Sequence, residues 1–219
     1  MVTRSSFREQ LADLQRDLLK MGLFVSSAIQ KAVDSLARLD GKAANAVIAD
    51  DDIVDRMLID IEKRCLQLMA LQQPMASDLR ALGTALKIVT DLERMADHAT
   101  DIAKVTVKLE GEKLIKELVQ IPEMAQRVVA MTQEALEAFV SRDVERAKAM
   151  IAMDDEIDAT YKALFDELMG IMQTKPQYVR QATYLLMVAM YLERVGDHAT
   201  NLGEWTIYMV TGELTDMNA

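Results

Sequence analysis

One cysteine, three prolines, eight glycines and an aromatic content of 5% leave this 219-residue chain few of the residues that break or decorate helices. Scarce breakers exclude a turn-rich β architecture, and no β-branched runs recur at regular spacing between turn signals. What remains is rich in Ala, Leu, Met, Glu and Lys, side chains that lose little freedom in a helix. Cys65 alone permits no intrachain disulfide, and its apolar neighbours make it a buried thiol. The longest apolar run, Tyr184 to Leu192, is too short to span a bilayer. The opening stretch from Met1 to Gln10 has no apolar segment of the kind a secretory leader needs. Positive charge is also short: 25 Lys and Arg against 35 Asp and Glu give a net charge of −10. Such a chain lacks the basic footprint of a nucleic-acid binder and suits cations or a partner with a basic patch. A soluble, cytoplasmic helical protein is expected.

Missing motifs narrow the chemistry further. No phosphate-cradling glycine loop and no nucleophile elbow is present. Neither histidine follows a glutamate by three residues, as a ferritin-like di-iron site requires. The Asp-His order is the reverse of an HD phosphohydrolase motif. An enzyme is not expected.

What is present is a duplication. Leu92-Glu-Arg-Met-Ala-Asp-His-Ala-Thr100 returns as Leu192-Glu-Arg-Val-Gly-Asp-His-Ala-Thr200, with seven of nine residues identical at an offset of 100. Both histidines of the chain lie in these two segments. Upstream, Ile48 to Asp55 aligns with Ile151 to Asp158 at an offset of 103, and Pro74 with Pro176 at 102. Internal repeats of this kind define the fold before any other feature. The chain divides into halves at roughly 1–110 and 111–219, joined near Glu110-Gly111-Glu112-Lys113. Each half holds three long helices. The first carries Phe7, Leu11, Leu14, Leu18, Met21, Val25, Ile29, Ala32 and Leu36 at helical spacing, with Gly41 as its C-terminal cap. The others are expected at about 42–73 and 74–110, then 113–141, 143–174 and 176–212. Short connections make neighbours antiparallel, so the expectation is all-α, two tandem pseudo-symmetric three-helix bundles.

Acidic residues interrupt the apolar stripes at matching places. The second helix reads Ile48, Asp51, Asp55, Leu58, Glu62, Cys65, Met69, and its counterpart Ile151, Asp154, Asp158, Tyr161, Phe165, Leu168. The third continues Leu82, Leu86, Val89 into Glu93 and Asp97, and the sixth ends in Glu193 and Asp197. Four helices thus each stack two carboxylates at i, i+4. Asp51 and Asp55 stand 23 and 19 residues before Pro74, and Glu93 and Asp97 stand 19 and 23 after it. The second half repeats the arrangement about Pro176. Matched heights let the pairs converge on one inward patch, where mutual repulsion calls for a cation. Oxygen donors suit Mg, Mn or Fe, with Zn possible. Asp101 and Asn201 extend the same faces and are candidates to complete each site.

Other residues are weaker candidates. His98 and His198 sit five residues past Glu93 and Glu193, roughly 140° around the helix, which favours a second face or a partner contact over ligation. Glu62 has Phe165 as its repeat partner, so its role does not duplicate. Arg94 and Arg194 can pair with neighbouring acids, and Arg80 and Arg180 read as salt-bridge formers. The methionines are core filler. A purely structural helical protein whose acids are only ion-paired is the competing reading.

Taken together, Gln73-Pro-Met-Ala-Ser-Asp-Leu-Arg80, the two Leu-Glu-Arg-x-x-Asp-His segments and the Asp-x-x-x-Asp pairs resemble the PhoU family of phosphate-transport accessory proteins along the whole chain. The resemblance implies multinuclear metal clusters on Asp51/Asp55 with Glu93/Asp97 and on Asp154/Asp158 with Glu193/Asp197. It also implies a cytoplasmic negative regulator of phosphate uptake and of the phosphate-starvation response. Its partners would be the ATPase subunit of the phosphate ABC transporter, the membrane sensor histidine kinase and a second copy in a homodimer. The Ser-Asp-Leu-Arg of the first half becomes Gln177-Tyr-Val-Arg180 in the second, so any role of Asp78 is not duplicated.

Overall fold

The computed structural model describes residues 4–214 and Met217; the extreme ends, including Met1 to Thr3 of the opening segment read above, lie outside the described residues. Helices account for nearly all of it. They are α1 (Arg4–Arg38), α2 (Gly41–Gln72), α3 (Ser77–Leu109), α4 (Gln120–Ser141), the short α5 (Val144–Lys148), α6 (Met150–Thr174) and α7 (Val179–Thr211). A 3-10 turn at Pro176–Tyr178 leads into α7. No strand occurs among the described residues. The apolar stripe of α1 is fully buried from Leu14 through Leu18, Met21, Val25, Ile29 and Ala32 to Leu36. One core runs from these residues through Leu82 and Leu92 of α3 to Met131 of α4 and Leu192 of α7, crossing between the two halves of the sequence.

Three boundaries differ from expectation. Gly41 does not cap α1; Leu39 takes the left-handed conformation (φ 50°) and ends it, while Gly41 opens α2 under the side-chain cap of Asp40. Asp40 accepts the amide N–H of Ala43 at 3.0 Å. Arg142 (φ 56°) and Asp143 reproduce this unit 103 residues later, with Asp143 accepting from Arg146 at 3.0 Å. The repeat therefore extends to the chain reversals, each built on an N-cap aspartate. Second, the expected helix at 143–174 is broken at Ala149 into α5 and α6. Gly203 of α7 lies there, where an added Cβ would come within 3.1 Å of Met150 Sδ and 3.3 Å of the Ala147 carbonyl. Third, residues 113–119 are not helical, and α4 begins only at Gln120. The buried Gln181 side chain accepts the Ile115 N–H (2.6 Å) and donates to the Lys113 carbonyl (3.1 Å), holding this segment in an irregular path.

The central feature is the α3/α7 seam. Arg80 faces Met209, Thr84 faces Trp205, Asp91 faces His198 and His98 faces Tyr191. In every pair the residue numbers total 289, so the helices run antiparallel in constant register. With repeat partners 100 apart, that register makes the contacts of Asp91 and His98 exchange places with those of Tyr191 and His198. A pseudo-twofold axis therefore passes beside Arg94 and Arg194. Arg80 and Arg180 clamp the two ends of the seam. Arg80 Nε donates to the Met209 carbonyl at 3.1 Å and Arg180 Nη2 to the Lys108 carbonyl at 3.0 Å, each in the final turn of the opposing helix. Cations there complement the negative end of the helix dipole. Arg180 also pairs with Glu112 and lies over Tyr184, 5.3 Å from the ring centre.

Candidate metal centre

The two acidic clusters flank this seam, one between α2 and α3 and the other between α6 and α7. Thr100 donates to Asp51 Oδ1 at 3.1 Å, which fixes the height of α2 against α3. The midpoint of that pair in sequence falls at the Pro74–Ala76 reversal, as symmetry about the turn demands.

Burial and mutual repulsion mark both clusters. Asp51 is raised from the ordinary aspartate value first by burial, then by Asp97 and Asp55, against the opposing hydrogen bond from Thr100. Glu93 is raised by burial and by Asp97, with Asp55 and Asp51 adding. In the second cluster the displacement is larger. Burial, then Asp158 and Asp197, push Asp154 up to about 6. Burial, then Asp197, Asp158 and Asp154, push Glu193 up to about 7. Asp197 is raised by burial and by Asp158. Each set of four expected carboxylates is therefore gathered closely enough for its members to repel.

The orientation differs from a fully inward patch. The buried seam of α2 runs Val47, Val54, Ile61, Cys65 and Leu68, with Asp51 half-buried beside it and Asp55 exposed. Glu62 lies beside this seam, half-buried. On α6 the buried positions are Met150, Asp154, Ile157, Leu164 and Leu168, whereas Asp158, Ile151 and Phe165 are exposed. The true stripe is turned by one residue from the expected one. One acid of each α2 and α6 pair points inward and the other stands at the mouth.

The donor set is all hard oxygen, suited to Mg, Mn or Fe. Asp154 is 9% exposed, and its Oδ1 is buried without a hydrogen-bond partner. Gly196 admits that oxygen, since an added Cβ would sit 3.2 Å from it. An unsatisfied carboxylate oxygen among other carboxylates fits a cation in its chemistry. Among the described residues, however, no three His, Cys, Asp or Glu side chains stand in a set that would hold a metal ion as placed. Ligation requires the carboxylates to draw together.

As placed, Asp101 and Asn201 are engaged with partners outside the two carboxylate sets. Asp101 pairs with Lys104 at 2.9 Å, and Asn201 donates to Asp91 Oδ1 at 3.3 Å. A step of four residues overshoots a full helical turn by about 40°, which carries both toward the α3/α7 seam. There the histidines meet. His98 and His198 have ring centres 5.8 Å apart, His98 stacks on Tyr191 at 5.6 Å, and His198 Nδ1 lies 2.9 Å from Asp91 Oδ1. Burial, then His198, hold the His98 imidazole below the usual histidine range. Arg94 pairs with Asp97 at 3.2 Å and reaches Glu93 at 3.5 Å. Arg94, Arg194, both histidines, Lys104, Asp97 and Asp101 line a cleft of about 530 Å³.

Sequence reasoning missed Thr100, although both it and Thr200 lie inside the repeated segment. It also missed Asp91, for which the signal was the unlike pair Asp91 and Tyr191 beside otherwise duplicated neighbours.

Two three-helix units in tandem, sharing one core and each gathering four carboxylates beside a common seam, define a duplicated helical-bundle protein with paired acidic sites. The PhoU domain model matches residues 18–106 and 121–206, and the chain belongs to the PhoU family. It is 41% identical to the phosphate-specific transport system accessory protein PhoU homolog of Clostridium acetobutylicum, over 99% of this chain and 100% of that protein. The homolog of Caulobacter vibrioides is 38% identical, over 96% of this chain and 92% of its own length. The crystal structure of the phosphate transport system regulatory protein PhoU from Streptococcus pneumoniae superposes with a TM-score of 0.89. It is 32% identical, and the match covers 96% of this chain and 99% of that one. PhoU from Pseudomonas aeruginosa gives the same TM-score at 34% identity, over 94% of this chain and all of that one.

Proposed function

We propose that this protein is a metal-binding regulator of phosphate homeostasis. In this reading it acts in the cytoplasm as a signalling adaptor rather than an enzyme. It restrains phosphate uptake through the ATPase subunit of the phosphate ABC transporter and holds down the phosphate-starvation two-component response through the membrane sensor histidine kinase. Family membership and the names of the relatives support the phosphate role. No helix among the described residues is long and apolar enough to cross a membrane, which fits an accessory protein that docks on a transporter. A homodimer belongs to the same proposal.

The observation that carries the metal reading is the pair of carboxylate clusters, above all Asp154 and Glu193, which resist ionisation in the folded protein. Asp51, Asp55, Glu93 and Asp97 would hold one cluster, and Asp154, Asp158, Glu193 and Asp197 the other. A bound Fe, Mn, Mg or Zn supplies the positive charge that these acids lack. The side chains of α2 and α3, and of α6 and α7, are thereby drawn to one another, and the exposed Asp55 and Asp158 close the mouths.

A second reading has one observation in its favour. Arg94 already neutralises Asp97 and Glu93, and Lys104 neutralises Asp101, so the first cluster can persist as an ion-paired surface. Elemental analysis of protein purified without chelator separates the two. Metal retained by the wild type and reduced to the share of the first cluster in Asp154→Asn/Glu193→Gln supports the metal reading, and no metal in either sinks it. Deleting the gene should raise phosphate-responsive alkaline phosphatase in phosphate-rich medium, and an unchanged level would refute the regulatory role.

A further inference from the structure

The cleft on the pseudo-twofold axis has a composition that the metal reading does not explain. Its wall carries three full positive charges, Arg94, Arg194 and Lys104, against two carboxylates, Asp97 and Asp101. Each carboxylate is matched by a cation on its own helix, Asp97 by Arg94 and Asp101 by Lys104. The surplus is Arg194. Among the described residues it makes no ion pair, although the chain carries ten more acids than bases. Its repeat equivalent, Arg94, pairs twice. The α7 side of the cleft has one acid fewer, since Asn201 stands where α3 has Asp101, and Glu193 and Asp197 lie near Arg194 without forming an ion pair with it. Beside Arg194 lies His98, whose Nδ1 is buried without a hydrogen-bond partner. Arg194 is exposed on this cleft, so its guanidinium is open to a ligand without an existing ion pair having to break.

We infer that this seam cleft binds inorganic phosphate, with Arg194 as its principal anchor and Arg94 and Lys104 as supporting donors. Guanidinium groups match phosphate oxygens in a two-pronged geometry, and the cleft volume is in the range of small-ligand sites. The two carboxylates make the choice of anion specific. Near neutral pH inorganic phosphate keeps at least one O–H, which Asp97 or Asp101 can accept, whereas sulfate has none to donate and would meet those acids with bare oxygens. A phosphate monoester above its second ionisation near pH 6 also lacks that proton. Free phosphate should therefore bind more tightly than sulfate or an ester. The inference goes beyond metal binding and does not depend on it.

The test is isothermal titration of the full chain at pH 8 in EDTA with inorganic phosphate, O-phosphoserine and sulfate, using wild type, Arg194→Gln, and Lys63→Gln as an exposed charge control. The expected result is saturable phosphate binding, weaker binding of the other two ions, and a loss of ~10-fold or more in Arg194→Gln, as one charge-assisted hydrogen bond predicts. Lys63→Gln should bind as wild type does, and matching thermal melts establish that the variants are folded. The inference is overturned if phosphate does not saturate in EDTA, if sulfate or phosphoserine binds equally well, or if Arg194→Gln retains wild-type affinity. Phosphate binding that appears only after Mn²⁺ is added would move the anion to the carboxylate clusters, and would equally overturn it. Metal content of the same preparations reports separately on the metal proposal.

Discussion

Without metal at its second cluster the protein should grow less stable as pH rises, and Asp154 sets the scale. Its folded carboxyl titrates at about 6, against 3.8 for the ordinary group. At about 1.4 kcal/mol per pKa unit, ionised Asp154 destabilises the fold by ~3 kcal/mol. Solvent reaching its exposed neighbour Asp158 reduces this to ~2 kcal/mol. The sign follows from the direction of the displacement. Well below pH 3.8 the group is protonated in folded and unfolded chains alike and contributes nothing. Between 4 and 6 the unfolded chain ionises first, so unfolding is favoured progressively. Above 7 the full penalty applies. Glu193, raised from 4.5 to about 7, widens the window upward. The two titrate as a coupled pair, so their penalties do not simply add.

Other groups oppose this slope. Glu112, Glu134 and Glu167 are held below the usual carboxylate range by their hydrogen-bond partners, and their contribution is complete by about pH 5. His98 is lowered, so stability rises as pH passes through the ordinary histidine range. The diagnostic is therefore the difference between wild type and Asp154→Asn in urea unfolding with EDTA at pH 5 and pH 8. The variant should gain about 1–2 kcal/mol on wild type at pH 8 and roughly half of that at pH 5, where the unfolded aspartate is already ionised and the folded one is not. Saturating metal at about 100 times its dissociation constant should stabilise wild type by ~2.7 kcal/mol and the variant far less. A variant equally destabilised at both pH values would refute the reasoning, since Asp154 would then be a structural hydrogen-bonding group.

Four further outcomes follow from the packing. Gly22→Ala drives a methyl into the Leu136 side chain where α1 meets α4, and should lower stability by about 1–3 kcal/mol in urea unfolding. Gln181→Ala strips the Ile115 N–H of its acceptor and should cost ~1–3 kcal/mol, with faster amide exchange confined to residues 110–119. Ala76 holds φ 48° and ψ −113°, a conformation open to glycine, so Ala76→Gly should raise the unfolding midpoint by an amount worth ~1 kcal/mol. Burial pushes the Cys65 thiol up to about 11. It should resist a thiol reagent at pH 8 in the native protein and react in urea, and rapid native labelling would contradict its placement.

The duplication and the acid pairs were legible because both depend on local spacing. Helical periodicity and symmetry about Pro74 placed Asp51 near Asp97 without any knowledge of packing. What spacing could not fix was helix rotation. Ile48, Asp55 and Glu62 fit a 3.6-residue stripe as well as Val47, Val54 and Ile61 do, because α2 alternates apolar and acidic residues densely enough to support two stripes one residue apart. Packing against α1 and α3 selects the second. The late start of α4 was equally hidden, since it depends on Gln181, some 66 residues away. The positive φ of Leu39 and Arg142 had no compositional mark, as neither is the glycine that usually takes that role.

The seam shows why the repeat matters for chemistry beyond giving two copies of a site. Helices that face each other in antiparallel register, related by a 100-residue shift, bring equivalent positions near the axis into contact with one another. Identical residues there must tolerate their own likeness: Arg94 stands near Arg194, and His98 near His198. Like charges so placed are destabilising unless something separates or neutralises them. On α3 the protein answers with Asp97, Asp101 and the Lys104 pairing. On α7 Asp197 and Glu193 lie near Arg194 without an ion pair to it, while Asn201 replaces the second acid and Tyr191 replaces Asp91. Divergence between the copies has thus concentrated unpaired positive charge on one side of a cleft whose outer flanks hold eight carboxylates. The acidic clusters and the basic centre are consequences of the same symmetry, and that symmetry is broken where an anion has most to gain.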